Sequence, residues 1–247
     1  MIHFLLAAAI PAGFAEPITL KQVEQVGSSL AQAGAVQPAA PAAEPSAPGQ
    51  FPYASLQLGG GIPNNLNGII SDLEITTINF YGGFNGELAV GYKFNDFRTD
   101  VSLGYSNYAA NTQNFIFGQI DSGAVPATGA LGLWTVMFNG YYDMPIRLKN
   151  GALSRWSPYL GGGVGYANLS LPECANLGAC YGAGSTGAFA WQAKAGMSYR
   201  ALKRGFLFVE GGYLGTNGNL IINEAVFDPF GGWRFNLGWR QGFGGGH

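Results

Sequence analysis

Charged residues are scarce in this chain. Only 11% of its 247 residues are Asp, Glu, Lys or Arg, against about 25% in an ordinary soluble protein. No long apolar segment replaces them, because the longest one, residues 4–12, is far shorter than the roughly 20 residues that a membrane-spanning helix needs. The apolar residues must therefore be spread along the chain. The formal net charge of −2 gives no reason to expect a nucleic-acid partner.

Cysteine and histidine are nearly absent. The only two cysteines, Cys174 and Cys180, lie in a Gly-rich segment with no histidine nearby. Their spacing excludes a CxxC metal or redox motif, so the sequence predicts no metal and no cofactor. An even number of cysteines in an exported chain favours a small disulfide loop, Cys174–Cys180, with two free thiols as the alternative.

What the chain has instead is alternation. In the last segment the large apolar residues Trp233, Phe235, Leu237, Trp239 and Phe243 alternate with Arg234, Asn236, Gly238, Arg240 and Gly242. A period of two predicts a β-strand with two different faces. From residue 51 onward the same pattern recurs, and it predicts eight strands at about 53–61, 84–94, 98–105, 133–143, 158–167, 189–200, 206–213 and 233–243.

The two faces of these strands indicate lipid outside and a polar lumen inside. Bulky residues such as Val136 and Phe138 face outward, and Trp134, Trp191, Trp233, Trp239, Tyr92, Tyr142 and Tyr199 are expected at the membrane interfaces. Inward glycines on the fifth strand are expected to make room for large lumen side chains such as Tyr141 and Phe208. The predicted fold is all-β, an eight-stranded antiparallel transmembrane β-barrel.

The connections give a second signal. Long ones, at about 62–83, 109–131, 169–188 and 215–231, alternate with shorter ones at Asn95-Asp96, 144–157 and 201–205. The long connections contain acidic residues and no Lys or Arg, whereas the second and third short ones contain Arg147, Lys149, Arg155, Lys203 and Arg204. Outer-membrane barrels have long extracellular loops and short periplasmic turns. The chain is therefore expected to begin and end in the periplasm.

The first 50 residues differ in composition from the barrel. Residues 1–15 are predicted to be a signal peptide, because a short apolar region is followed by small residues at a cleavage site; a buried N-terminal strand is the alternative. Residues 16–50 contain a Pro/Ala tract and are predicted to be a periplasmic linker with a possible short helix. Residues 51–247 form the barrel.

Charged residues on the inward face form the one group of side chains that suggests a function for the lumen. Five cations face three carboxylates: Lys93, Arg98, Lys194, Arg234 and Arg240, with Glu87, Asp100 and Glu210. Buried charges are costly unless they are paired, and eight strands leave a lumen that side chains can fill. We expect Lys194 to pair with Glu210, and Asp100 to lie close to Arg98 and Lys93. The network is either a packed ion-pair plug or a gated narrow passage.

Three segments carry a family resemblance. Residues 157–166 (SPYLGGGVGY), residues 189–196 (FAWQAKAG) and the aromatic-alternating end at Phe243 resemble the small eight-stranded surface barrels of Gram-negative bacteria, the opacity-protein, OmpX-like and OmpA transmembrane group. The similarity covers roughly residues 51–243. It implies a surface antigen of the porin family in the bacterial outer membrane.

The resemblance also implies partners and a role. In that group the barrel-assembly machinery reads a terminal aromatic residue, here Phe243, although four residues follow it. Outer-membrane lipid and lipopolysaccharide would surround the barrel, and an unidentified extracellular partner would bind the loops. Enzymes of this architecture generally use a histidine, and this chain has only His3 and His247. The expected role is therefore non-enzymatic, structural or adhesive, and the alternative is a small or gated porin for ions or small solutes.

Overall fold

The computed structural model describes residues 49–71, 74–117, 120–127, 129–149, 151–171, 184–222 and 225–244. All of them lie in one unit of the chain, Ala47–His247. Every regular element among them is a strand. No helix in these ranges is long and apolar enough to cross a membrane.

Eight of twelve strands close into an antiparallel ring. Numbered along the chain, they are β1 (Phe51–Pro63), β3 (Glu74–Phe94), β4 (Phe97–Phe117), β6 (Ala130–Asp143), β7 (Trp156–Leu171), β8 (Gly184–Arg200), β9 (Gly205–Thr216) and β12 (Gly231–Gly242). Each pairs with its neighbours in the order β1–β3–β4–β6–β7–β8–β9–β12, and β12 pairs with β1. The predicted eight-stranded barrel is confirmed.

The predicted inside and outside faces are also confirmed. On β6 the outward Val136 and Phe138 are 51% and 58% exposed, whereas the inward Thr135 and Asn139 are 3% and 0% exposed. An apolar outer face with a closed backbone ladder is what a bilayer requires, since lipid cannot satisfy open backbone groups.

Aromatic rings mark two levels on the outer face. Near one end of the barrel, Tyr105 packs on Trp134 at 4.7 Å and Tyr213 on Trp233 at 5.2 Å between ring centroids. Near the other end, Phe97 packs on Tyr142 at 5.0 Å and Trp156 on Tyr199 at 4.8 Å. Two such bands are typical of the two membrane interfaces.

The end with the short connections is here called the turn end. Its first connection is the two-residue turn Asn95-Asp96, in which Asn95 adopts a φ of 55° and Phe94 pairs with Phe97. Asn tolerates this left-handed conformation better than most residues, as two-residue hairpin turns require. The positively charged residues Arg147, Lys149, Arg155, Lys203 and Arg204 all lie in the other two connections at this end.

The opposite end, here called the loop end, contains more regular structure than the sequence predicted. β3 and β4 continue far beyond the predicted strands, and four further strands lie in the long connections: β2 (Leu66–Ser71), β5 (Ile120–Pro126), β10 (Leu220–Ile222) and β11 (Ala225–Phe227). Together they form the loop-end sheet, in the order β10–β11–β2–β3–β4–β5.

Inward glycines do make room for large lumen rings, on more strands than predicted. A Cβ at Gly161 on β7 would lie 2.2 Å from the Tyr141 ring, as expected. The ring of Phe208 instead lies against Gly238 on β12, where a Cβ would be 2.3 Å away. Large aromatic rings in the lumen thus lie against glycines on neighbouring strands.

Candidate functional site

The lumen near the turn end holds the charged residues that the sequence singled out. One group is centred on Lys194 of β8, whose Nζ lies 2.7 Å from Glu87 Oε1 and 3.2 Å from Glu210 Oε1. Tyr159 donates a hydrogen bond of 2.9 Å from its hydroxyl to Glu210 Oε2. Arg234 donates to Gln192 Oε1. Lys194 is therefore shared by two carboxylates, where the sequence suggested only Glu210.

A second group is centred on Asp143, which was not among the charges expected in the network. Arg98 Nε lies 2.9 Å from Asp143 Oδ1, and Lys93 pairs with the other oxygen of the same carboxylate. Lys93 and Arg98 are directly opposite each other across the β3–β4 pair. Two like charges in this position need a common counter-ion, and Asp143 at the end of β6 supplies it.

The expected pairing of Asp100 with Arg98 and Lys93 is therefore wrong. Asp100 instead accepts hydrogen bonds of 2.8 Å from the Tyr53 hydroxyl and 2.7 Å from Asn139 Nδ2. The first hairpin alone does not determine the partners of Asp100, because the closed ring also brings Tyr53 of β1 and Asn139 of β6 to this carboxylate.

Arg98 and Arg240 lie among aromatic rings. The guanidinium carbon of Arg98 is 4.1 Å from the centre of the Tyr141 ring and 4.7 Å from that of Tyr159. That of Arg240 is 5.2 Å from the Phe208 ring centre and 5.6 Å from the Tyr53 ring centre. Neither Arg234 nor Arg240 forms an ion pair with a carboxylate within the described part of the chain.

The remaining predicted site residues lie elsewhere. Cys174 and Cys180 fall outside the described residues. Phe243 follows β12 at the turn end, where its amide donates to the Pro52 carbonyl at 2.8 Å and its carbonyl accepts from Arg204 Nη1 at 3.2 Å. Its side chain is half exposed. Within the described ranges there is no cluster of His, Cys, Asp and Glu that could hold a metal ion.

The lumen near the loop end is apolar, whereas a polar lumen was expected throughout. Inward side chains from β4, β6, β7, β8 and β9 form one buried cluster: Tyr108, Leu131, Leu133, Met137, Ala167, Leu169, Ala190 and Leu214. The signal was present on β6, where residues 131–138 are apolar on both faces for most of their length. A strand that faces lipid on one side and an apolar core on the other has that pattern.

Residues of the long connections complete this cluster. Strands β2, β11 and β10, with the segment that runs to Phe230, form a flap that we call the lid. Its inward side chains join the buried cluster: Leu66, Leu220, Ile222, Ala225, Phe227 and Phe230. Each is at most 3% exposed.

The lid crosses the mouth of the barrel. It is joined to β3 through β2, and its far strand β10 contacts β8, which lies diametrically opposite β3 in the ring. Two hydrogen bonds join the lid to the end of β9, from Thr216 N to the Phe230 carbonyl and from Phe230 N to Thr216 Oγ1, both at 2.8 Å. The mouth at the loop end is thus covered by ordered backbone.

These features define the class of protein. A closed barrel with an apolar outer face between two aromatic bands, and an interior filled by side chains, is a transmembrane β-barrel of the outer-membrane type. A family model described as surface antigen matches residues 71–224, more than half of the chain. The chain therefore belongs to the surface antigen family and is located in the bacterial outer membrane.

Solved structures of several outer-membrane barrels are similar to this chain. Neisserial surface protein A is 17% identical, with 77% of this chain and 97% of that chain covered and a TM-score of 0.47. OprG of Pseudomonas aeruginosa is 12% identical, with 79% and 97% covered and a TM-score of 0.47. The outer membrane protease OmpT of Escherichia coli is 11% identical, with 78% and 97% covered and a TM-score of 0.45. No curated protein matches the chain in sequence.

Proposed function

We propose that this surface antigen is a non-enzymatic barrel that binds an extracellular partner through its loop-end sheet. The observation that carries the proposal is the outer face of the lid. Ile221 of β10 pairs with Val226 of β11, which pairs with Ile69 of β2. These aliphatic residues form a row across three strands, and Ile221 and Ile69 are 63% and 56% exposed.

The position of this row matters because it lies beyond the aromatic band nearer the loop end, which contains Trp134 and Trp233. Apolar side chains on the barrel wall face lipid, but the lid lies across the mouth and not on the wall. If the loop end faces the medium, as the sorting of charges suggests, the row faces water. Exposed apolar residues on an ordered surface often mark a protein-binding site.

The interior supports an anchoring role for the barrel. The turn-end half of the lumen is occupied by hydrogen-bonded charged and polar side chains, and the loop-end half by an apolar cluster. Lipid and lipopolysaccharide would contact the outer face, and the assembly machinery would read Phe243, whose side chain remains half exposed.

Adhesion of bacteria that display the protein tests this proposal. The double variant Ile69→Ser, Ile221→Ser should reduce binding of these bacteria to cultured epithelial cells at equal surface expression. The matched control is Ile146→Ser, Leu148→Ser, which changes two exposed aliphatic residues at the turn end. Equal binding by both double variants and the unmodified protein would contradict a role for the lid.

The second candidate function is a gated passage for ions or small solutes. It is favoured by a small polar cavity in the lumen, lined in part by Ser55, Gln57, Asp100 and Arg240. A continuous passage would require the lid to leave the mouth and the charged groups to separate. Single-channel conductance in planar bilayers distinguishes the two candidates.

A further inference from the structure

Two exposed arginines lie opposite each other on the rim of the barrel at the turn end. Arg200 N donates a hydrogen bond of 2.8 Å to the Arg155 carbonyl. The two residues lie one position beyond Trp156 and Tyr199, which form the last pair of the β7–β8 ladder. Like charges directly opposite each other on neighbouring strands are destabilising, so this position favours a counter-charge.

The described part of the chain supplies no counter-ion for this pair. Neither arginine forms an ion pair there, and the surrounding residues 144–158 and 195–209 contain no Asp or Glu. The lumen has a similar pair, Lys93 opposite Arg98, and both of these cations bind Asp143. An anion from outside the chain would do for the exposed pair what that carboxylate does for the buried one.

The exposed pair lies at the level of the membrane interface. The rings of Trp156 and Tyr199 pack at 4.8 Å between centroids in the turn-end aromatic band. Arg155 Nη1 donates to the Tyr199 hydroxyl at 3.4 Å, so the Arg155 guanidinium group reaches the outer face at this band. Tyr and Trp rings in such bands lie at the level of the lipid headgroups. The anions that a bilayer presents there are the phosphate groups of its lipids.

The charge around the pair favours a lipid with a net negative charge. The turn-end connections at 144–157 and 201–205 contain Lys and Arg and no Asp or Glu, whereas the long connections at the loop end contain Asp and Glu and no Lys or Arg. Clustered cations next to a bilayer attract anionic lipids. A zwitterionic headgroup also carries a phosphate, but these cations repel its positively charged amine.

We propose that Arg155 and Arg200 bind the phosphate group of an anionic phospholipid, such as phosphatidylglycerol, in the leaflet at the turn end. The phosphate oxygens accept hydrogen bonds from both guanidinium groups, whose planar donors match phosphate geometry. Its negative charge offsets the repulsion between the two arginines. The acyl chains lie against the outer face of β7 and β8, where Leu160 pairs with Ala195 and both side chains are exposed.

Native mass spectrometry of lipid binding tests the site. The full chain in a neutral detergent, offered equal amounts of phosphatidylglycerol and phosphatidylcholine with the same acyl chains, should prefer phosphatidylglycerol by about tenfold. The double variant Arg155→Gln, Arg200→Gln should lose most of this preference. The matched control Arg147→Gln, Lys149→Gln removes the same charge from two exposed residues of the β6–β7 connection and should keep it.

Inorganic phosphate distinguishes a lipid site from a site for the free anion. At the same molar concentration as the lipid, phosphate should not lower the fraction of protein with bound phosphatidylglycerol, because it makes no contact with the apolar wall. Equal competition by phosphate would show that the arginines bind the free anion, and the lipid would then be the wrong ligand.

Gel mobility in unheated detergent shows whether each variant is folded. If the double variant does not fold, Arg155→Gln and Arg200→Gln alone should each lower the preference by about threefold. The proposal is wrong if the unmodified protein does not prefer phosphatidylglycerol. It is also wrong if folded variants of Arg155 and Arg200 keep the preference, or if the control double variant loses it to the same extent.

Discussion

Single residues in the lumen differ in how much of the network depends on them. Lys194 is bound by two carboxylates, so its loss deprives two buried charges of a partner, whereas Glu210 is also bound by Tyr159. Removal of one partner from a buried ion pair is far more costly than its replacement by packed apolar groups, because it leaves an uncompensated charge. Lys194 is therefore the position where the network is most sensitive.

Lys194→Met should lower the free energy of unfolding by about 3–5 kcal/mol, because Glu87 and Glu210 then lose the cation that they share. Equilibrium unfolding by urea in lipid vesicles measures this. Lys203→Met, at an exposed turn residue, is the control and should change the free energy little. When Glu210→Gln is combined with Lys194→Met, the cost should be less than the sum of the two single changes. Strict additivity would mean that the two side chains do not interact.

The depth of a residue on the outer face should determine the cost of a charge there. Val209 and Leu207 lie on the same face of β9, but Leu207 pairs with Tyr199 and Trp239 in the turn-end aromatic band, whereas Val209 pairs with Met197 and Leu237. Val209→Arg should raise the free energy of folding into bilayers, and so destabilise the barrel, by about 2–4 kcal/mol, and Leu207→Arg by about 0–1 kcal/mol. Refolding titrations in vesicles measure both. Equal costs would place the membrane at a different level on the barrel.

Most of the individual strands could be predicted, because the alternation of residue types depends only on neighbours in sequence. Alternation along β6 or β12 is visible in any short window of sequence, because each strand meets lipid on one face over its whole length in the membrane. The same windows could not predict that Asp143 pairs with Arg98, because that contact depends on the stagger between β4 and β6. These windows also could not distinguish Arg240, which forms no ion pair with a carboxylate of the described residues, from Lys194, which forms two.

The lid strands were not predicted because their pattern is too short. β10 and β11 have three residues each, and three residues cannot establish a period of two. Their alternation is nevertheless present in the structure, since Ile222 is 2% exposed and Ile221 is 63% exposed. These two neighbours of the same residue type therefore provide a matched test of the lid.

Ile222→Asp should release the lid, because it places a charge in the buried apolar cluster, whereas Ile221→Asp should leave it closed. Limited proteolysis followed by mass spectrometry should show faster cleavage within residues 217–230 in Ile222→Asp only. Both variants should keep the gel mobility of the folded barrel in unheated detergent, because the ring of eight strands does not include β10. Cleavage at the same rate in both variants would show that the lid is not packed as described.

The barrel as a whole has a lipid-facing wall and two ends that differ in structure. The wall is a closed ring of eight strands with an apolar outer face. Each strand pairs with both neighbours, as lipid requires because it cannot satisfy open backbone groups. The turn end carries the basic connections and the charged lumen, and the loop end carries an ordered sheet that covers the mouth. The sequence predicted this division through the sorting of long and short connections, but not that parts of the first and the last long connection pack against the buried apolar cluster.

The central conclusion is that the barrel is closed as well as membrane-spanning. Single-channel recording in planar bilayers tests this most directly, with the unmodified protein, Ile222→Asp and Ile221→Asp measured side by side. The unmodified protein and Ile221→Asp should show no stable conductance steps, because the apolar cluster and the charged network fill the lumen. Stable steps in the unmodified protein would contradict the closed barrel and favour the passage over the anchor.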